Sequence, residues 1–123
     1  MRIILADHHV QPCWAIRKLL EQQPEFEIVD EVADAQSLLT LAEEQLPDLV
    51  LVDSELPGLF IEDLVIRLHA ISPPPIVVAM SSEIDSSRKL LKAGADAFVS
   101  KGDEPKWLLE TLKRFEYKSK NNE

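Results

Sequence analysis

The chain has 123 residues, 46% of them apolar, with 22 acidic against 13 basic side chains and a formal net charge of −9. That length builds one compact domain burying roughly two-thirds of its unfolded surface, and a second domain does not fit. The acidic balance, interrupted only by the mild group Lys113, Arg114, Lys118 and Lys120, argues against direct nucleic-acid binding. The single cysteine, Cys13, can form no intramolecular disulfide, which suits a reducing compartment. The longest apolar runs are strand-sized, far short of the roughly 20 residues of a membrane span, and no signal peptide is visible. The expectation is a soluble cytoplasmic protein without membrane contacts.

In chain order, the first predicted strand is Arg2 to Ala6, and Asp7 closes it. A helix with Ile16, Leu19 and Leu20 at helical spacing follows, then a strand from Glu27 to Val32. The second helix carries Leu38, Leu39, Ala42 and Leu46 on its apolar stripe. The run Asp48-Leu-Val-Leu-Val-Asp53 is four consecutive branched aliphatics between carboxylates, which reads as a strand buried on both faces. Leu56-Pro57-Gly58 turns the chain after it, and Ile61, Leu64, Val65 and Leu68 mark the third helix. Ile76 to Met80 is the fourth strand; Ile84 to Lys92 is a weakly amphipathic helix whose main apolar pair is Leu90 and Leu91. The fifth strand is Ala97 to Ser100, with Lys101 directly behind it. Asp103-Glu104-Pro105 suits a helix N-terminus, and Leu108, Leu112 and Phe115 form the inner stripe of the last helix. The domain spans residues 1–117, and the polar run 118–123 is a frayed tail or the start of a linker.

Five βα units in this order imply a doubly wound α/β fold, a five-stranded parallel sheet with helices on both faces and right-handed crossovers. Chemistry in such sheets collects outside the carboxyl ends of the strands. Asp7, Asp53 and Lys101 all stand at those ends. If the strand order is 2-1-3-4-5, the topological switch lies between Asp7 and Asp53. Clustered carboxylates need a cation, a proton or a lysine to offset their charge. A divalent ion with oxygen ligands is the usual answer where phosphate is the other ligand. An aspartate beside such an ion can attack phosphorus and form an acyl phosphate, with a lysine neutralising the transferred group. Asp53 is the candidate nucleophile and Lys101 its phosphate partner. The plain readings are a solvated carboxylate capping a turn at Asp53 and an ordinary salt bridge at Lys101.

These residues resemble the receiver domains of bacterial two-component response regulators over the whole chain. The likeness rests on Ala6-Asp7, on Asp53 followed by Leu56-Pro57-Gly58, on Ala93-Gly94-Ala95-Asp96, and on Lys101. The opening Ile-Leu-Ala-Asp-His-His is similar to receivers that precede a LuxR-type helix-turn-helix in transcription factors. The resemblance implies a flavodoxin-like sheet of order 2-1-3-4-5 and phosphorelay signalling from a sensor histidine kinase. It also implies a Mg²⁺ site made by Asp7, Asp53 and the backbone carbonyl of Glu55, with Asp53 as phosphoacceptor and Lys101 beside it.

Two departures from the family pattern bear on this site. The second member of the acidic pair is His8, and imidazole is a poor ligand for Mg²⁺. Counting back from Lys101 and Gly94, the hydroxyl residue that ends strand four falls on Ala79, while Ser81 and Ser82 are two or three residues out of step. Phe98 takes the place of the mobile aromatic, but without a hydroxyl at position 79 its coupling to phosphorylation loses the trigger. Gly102 after the lysine is a minor change. The expectation is therefore weak or absent Mg²⁺ binding. A protonated His8 could stand in as a built-in cation, Asp7, His8 and Asp53 could hold Mn²⁺ or Zn²⁺, or His8 could be a loop histidine of no consequence. His9 matches the family's own histidine and adds nothing further, and His69 is expected to be exposed. Trp14 and Trp107 read as core edge or as a dimer face formed by the first and last helices.

The leading expectation is a receiver phosphorylated inefficiently at Asp53, no enzyme beyond its own phosphorylation and dephosphorylation, acting through dimerisation or an output partner. Its rivals are a phosphorylation-independent pseudo-receiver working by protein contacts, an ordinary phosphorylated switch that tolerates His8 and Ala79, and a hydrolase or phosphatase using the same carboxylates.

Overall fold

Alternation along the strands decides the architecture. Ile4, Ala6, Val50, Val52, Val77 and Ala79 pack on one face of the sheet, and Ile3, Leu5, Leu49, Leu51, Val78 and Met80 on the other. Both sets are buried, so helices must cover both faces. The computed structural model describes residues 1–121, without the side chains of residues 10–12, 84 and 117–121. Its elements are β1 (Arg2–Ala6), α1 (Val10–Glu21), β2 (Glu27–Val32), α2 (Ala35–Gln45), β3 (Leu49–Asp53) and α3 (Ile61–His69). They continue with β4 (Ile76–Ser81), a 3-10 turn (Ile84–Ser86), α4 (Ser87–Lys92), β5 (Ala97–Ser100) and α5 (Pro105–Asn121).

The sheet is five-stranded and parallel in the order β2-β1-β3-β4-β5. Leu38 and Ala42 of α2, Leu64 and Leu68 of α3 and Leu90 of α4 close one face. Leu20 of α1 with Leu108 and Leu112 of α5 close the other. The central strands β1 and β3 are buried on both sides, which is why their sequences are aliphatic runs without alternation.

Helix ends follow local chemistry. Asp34 caps α2 by accepting from the Ser37 backbone N–H at 2.8 Å. Leu46 ends it in the left-handed conformation, φ 48°. That termination corrects one expectation: Leu46 lies outside the stripe of α2 and is 41% exposed. The helix between β4 and β5 also differs from its prediction, since it opens as a 3-10 turn, and of its apolar pair Leu90 is buried while Leu91 is 48% exposed. Six residues make fewer than two turns, so only one of two adjacent leucines can face the sheet. The polar run from Lys118 is helical in backbone through Asn121, and residues 122–123 lie outside those described. Among the described residues, no helix is long and apolar enough to cross a membrane.

Candidate functional site

Four strands end with the same turn device. At β1, Asp7 Oδ1 accepts from the His9 backbone N–H at 2.9 Å; at β3, Asp53 Oδ1 accepts from that of Glu55 at 3.3 Å. At β4, Ser81 Oγ accepts from Glu83 N–H at 3.0 Å; at β5, Ser100 Oγ accepts from Gly102 N–H at 3.3 Å. Asp and Ser are suited to this because their short polar side chains reach the backbone two residues on. A carboxylate has a second oxygen left over for other work. The sheet ladder then aligns the ends: Asp7 N–H donates to Val32 carbonyl at 3.0 Å, Ser54 N–H to Met80 carbonyl at 2.8 Å, and Lys101 N–H to Ser81 carbonyl at 2.9 Å. After β3, Gly58 takes φ +113°, and a Cβ there would come 3.2 Å from the Cβ of Ala35. Only glycine accepts both conditions without strain.

The second carboxylate oxygens converge on Lys101. Its Nζ lies 2.6 Å from Asp7 Oδ2 and 3.3 Å from Asp53 Oδ2. Asp7 and Asp53 are only 5% and 2% exposed, so their charges have little water to solvate them. Burial alone would push Asp7 up, but the hydrogen bond from Lys101, the backbone N–H of His9 and the Lys101 charge together bring it below the ordinary carboxylate value. Asp53 Oδ2 makes no hydrogen bond of good geometry, although Lys101 Nζ and His9 Nδ1 both lie within ion-pair distance.

The structure brings Asp7, Asp53 and Lys101 together at the carboxyl edge of the sheet. It also brings in His9, for which the sequence reading assigned nothing further. His9 Nδ1 is 3.0 Å from Asp7 Oδ1 and 3.2 Å from Asp53 Oδ2, nearer than His8 Nδ1, which is 3.6 Å from Asp53 Oδ2. The two imidazoles lie against one another with centroids 3.9 Å apart. The available signal was the Asp7-His8-His9 order itself, because an aspartate turn folds the backbone N–H two residues on, and its side chain with it, back toward the carboxylate. The side chain of Glu55 is exposed, and only its backbone approaches Asp53.

Around β4 the site differs in kind. Ala79 is fully buried, in register with Val52 and Phe98, and offers no polar atom; the strand-four position expected there falls instead on Met80, which pairs with Asp53, while Ala79 packs on the opposite face of the sheet. Phe98 is half-buried against the core cluster that includes Ala79. Ser81 does not replace the missing hydroxyl: it is buried, accepts from Glu83 and donates to Ser86 Oγ at 3.3 Å. Ser82 is exposed. Away from the site, His69 is half-buried and not exposed as expected, because its Nε2 pairs with Asp96 Oδ2 at 2.9 Å. Cys13 sits near Glu31, and burial with that carboxylate pushes its thiol up to about 11, which leaves it unreactive at neutral pH.

Mg²⁺ demands near-octahedral oxygen coordination at about 2.1 Å. The groups within 3.6 Å of Asp53 Oδ2 include an ammonium and two imidazole nitrogens, and position 8 supplies no oxygen. This donor set does not fit Mg²⁺.

The model of the response regulator receiver domain family matches residues 3–113. The nitrate/nitrite response regulator protein NarL of Escherichia coli (strain K12) is 31% identical over 112 residues, covering 89% of this chain and 52% of that protein. Its Haemophilus influenzae homologue is 28% identical over 116 residues, covering 93% of this chain and 56% of its own length. The chain thus spans about half the length of the curated relatives it matches. Among solved structures, a LuxR-family two-component response regulator from Aurantimonas sp. SI85-9A1 superposes with TM-score 0.84 at 28% identity, covering 92% and 82% of the two chains. The signal receiver domain of the response regulator NarL from Mycobacterium tuberculosis shares the fold, with TM-score 0.83 at 22% identity over 92% and 93%. Receivers of this kind are in general non-enzymatic signalling domains that interact with sensor histidine kinases and typically use Mg²⁺. With its sheet order, its carboxylates and lysine at the strand ends and the span of these matches, the chain belongs to the receiver domains of two-component response regulators.

Proposed function

We propose that this chain is an atypical receiver in which Asp53 is the phosphoacceptor of a weakened, slow Mg²⁺-dependent phosphorylation. In the transfer, an Asp53 carboxylate oxygen attacks the phosphorus of a phosphohistidine, the P–N bond breaks, and the released imidazole nitrogen takes up a proton. Lys101 is the cation that offsets charge on the transferred group. The observation that carries the reading is the contact of Lys101 Nζ with both buried carboxylates, at 2.6 and 3.3 Å. Weakening follows from His8 in place of an oxygen ligand and from Met80, the β4 residue paired with Asp53, in place of a hydroxyl. In this reading Asp7 and Asp53, with the Glu55 carbonyl, are what remains of the metal site, and Phe98 is a switch position whose trigger, a hydroxyl on β4 beside Asp53, is missing.

The setting we propose is cytoplasmic, with a sensor histidine kinase upstream and an output partner or a second copy of the chain downstream. Residues 1–117 form the receiver, and the run from Lys118 begins a tail or linker. Trp14 on α1 and Trp107 on α5 are 56% and 50% exposed, and two large aromatics on neighbouring helices suit a contact face. The test is intact mass after incubation with Mg²⁺ and a small phosphodonor. A slow, substoichiometric adduct that disappears in Asp53→Asn is expected. A fast stoichiometric adduct overturns the weakened site, and no adduct at any time leaves signalling by protein contact alone.

A further inference from the structure

We propose that Asp7, His8, His9 and Asp53 form a site for a nitrogen-accepting divalent transition metal, with Zn²⁺ the best fit. One ligand atom from each of the four lies within 4.8 Å of all the others. The nitrogen–oxygen separations include 3.0 Å (His9 Nδ1 to Asp7 Oδ1), 3.2 Å (His9 Nδ1 to Asp53 Oδ2) and 3.6 Å (His8 Nδ1 to Asp53 Oδ2). A tetrahedral ion with bonds of about 2.0 Å sets its ligands about 3.3 Å apart, the middle of that range. Small side-chain rotations then complete the cage.

A second feature points to a ligand. Asp53 Oδ2 is buried and directed into this cluster, and its two neighbours there, Lys101 Nζ at 3.3 Å and His9 Nδ1 at 3.2 Å, make no well-formed hydrogen bond with it. A buried carboxylate oxygen in that position keeps a lone pair open to a metal ion. Charge agrees as well: two carboxylates and Lys101 leave the pocket with one net negative charge, which a divalent ion offsets while Lys101 stays on Asp7 Oδ2. Two nitrogens with two carboxylate oxygens is a zinc-type donor set, and affinity across divalent first-row metals strongly favours such ions over Mg²⁺ at imidazole. The imidazole side is half-open, with His8 and His9 side chains 37% and 43% exposed, so an ion has a way in. The inference rests on the receiver reading for the geometry of the pocket and not for phosphorylation of Asp53.

The test is titration of the metal-free full chain with Co²⁺, followed by visible absorption, and then with Zn²⁺ in the presence of a large excess of Mg²⁺. The expected result is the intense spectrum of four-coordinate Co²⁺, displaced by one equivalent of Zn²⁺ and indifferent to Mg²⁺. His9→Ala and His8→Ala should each weaken Zn²⁺ by at least roughly tenfold, and His8→Asp should move the preference toward Mg²⁺. A pale six-coordinate spectrum, displacement by Mg²⁺, or unchanged Zn²⁺ affinity in both alanine variants overturns the proposal. The spectrum of the unmutated chain needs no variant to fold. Phosphorylation, measured separately with transition metals chelated, can fail without altering this result.

Discussion

The two halves of the carboxyl rim use one turn device to different ends. At β1 and β3 the turn is closed by a buried aspartate, whose second oxygen reaches Lys101 and the histidines. At β4 and β5 it is closed by a serine, and at β4 the hydroxyl is occupied both as acceptor and as donor. Met80, one residue earlier and paired with Asp53, adds no hydroxyl, and Ala79 before it is turned into the core. The carboxylates of the site are therefore built on one half of the sheet, while the other half supplies Lys101 and, at β4, a hydroxyl that is already in use.

The most severe way to break this contrast is Lys101→Met. Two buried carboxylates would then have only the imidazoles for compensation, and stability to urea should fall by about 3 kcal/mol. A loss under about 1 kcal/mol would mean that His9 already offsets both charges. Restoring the poor half is the sharper test: Met80→Ser, at the β4 position paired with Asp53, should speed adduct formation there roughly tenfold, the value of one hydrogen bond to a charged group. An unchanged rate in mass spectrometry would show that the hydroxyl is not what this rim lacks. Smaller again is His8→Asp, which restores an oxygen ligand and should tighten Mg²⁺ several-fold by calorimetry. If affinity stays level, position 8 does not reach the metal.

The least of these effects is on acid stability, measured with metals chelated. Asp7 lies below its ordinary value of 3.8 in the folded chain. Its contribution is thus complete above that value and is lost as pH falls through the lower folded one. Asp7→Asn should flatten this acid limb of the unfolding curve, and an unaltered limb would assign acid sensitivity to other carboxylates.

Element order, sheet class and the placement of Asp7, Asp53 and Lys101 were legible in the chain. Aliphatic runs such as Leu49–Val52 can satisfy burial only as interior strands, and a residue that follows a parallel strand is bound to appear at its carboxyl edge. The β4 residue that meets Asp53 was not: counting back from Gly94 and Lys101 names Ala79, but the ladder pairs Asp53 with Met80, because the residue count through the β4–β5 connection does not fix the register between strands. What adjacent positions do was not legible in the same way. Leu46 was lost to a left-handed cap and Leu91 to a short helix, and in both cases helical spacing named a face that the chain did not continue long enough to use. Only the folded geometry decided that His9, more than His8, lies between the two carboxylates, and that Ser81 is spent on its own turn. The physical reason is that periodicity fixes which side of an element a residue occupies. The aim of a side chain in a turn depends instead on hydrogen bonds formed after the strands are already in register.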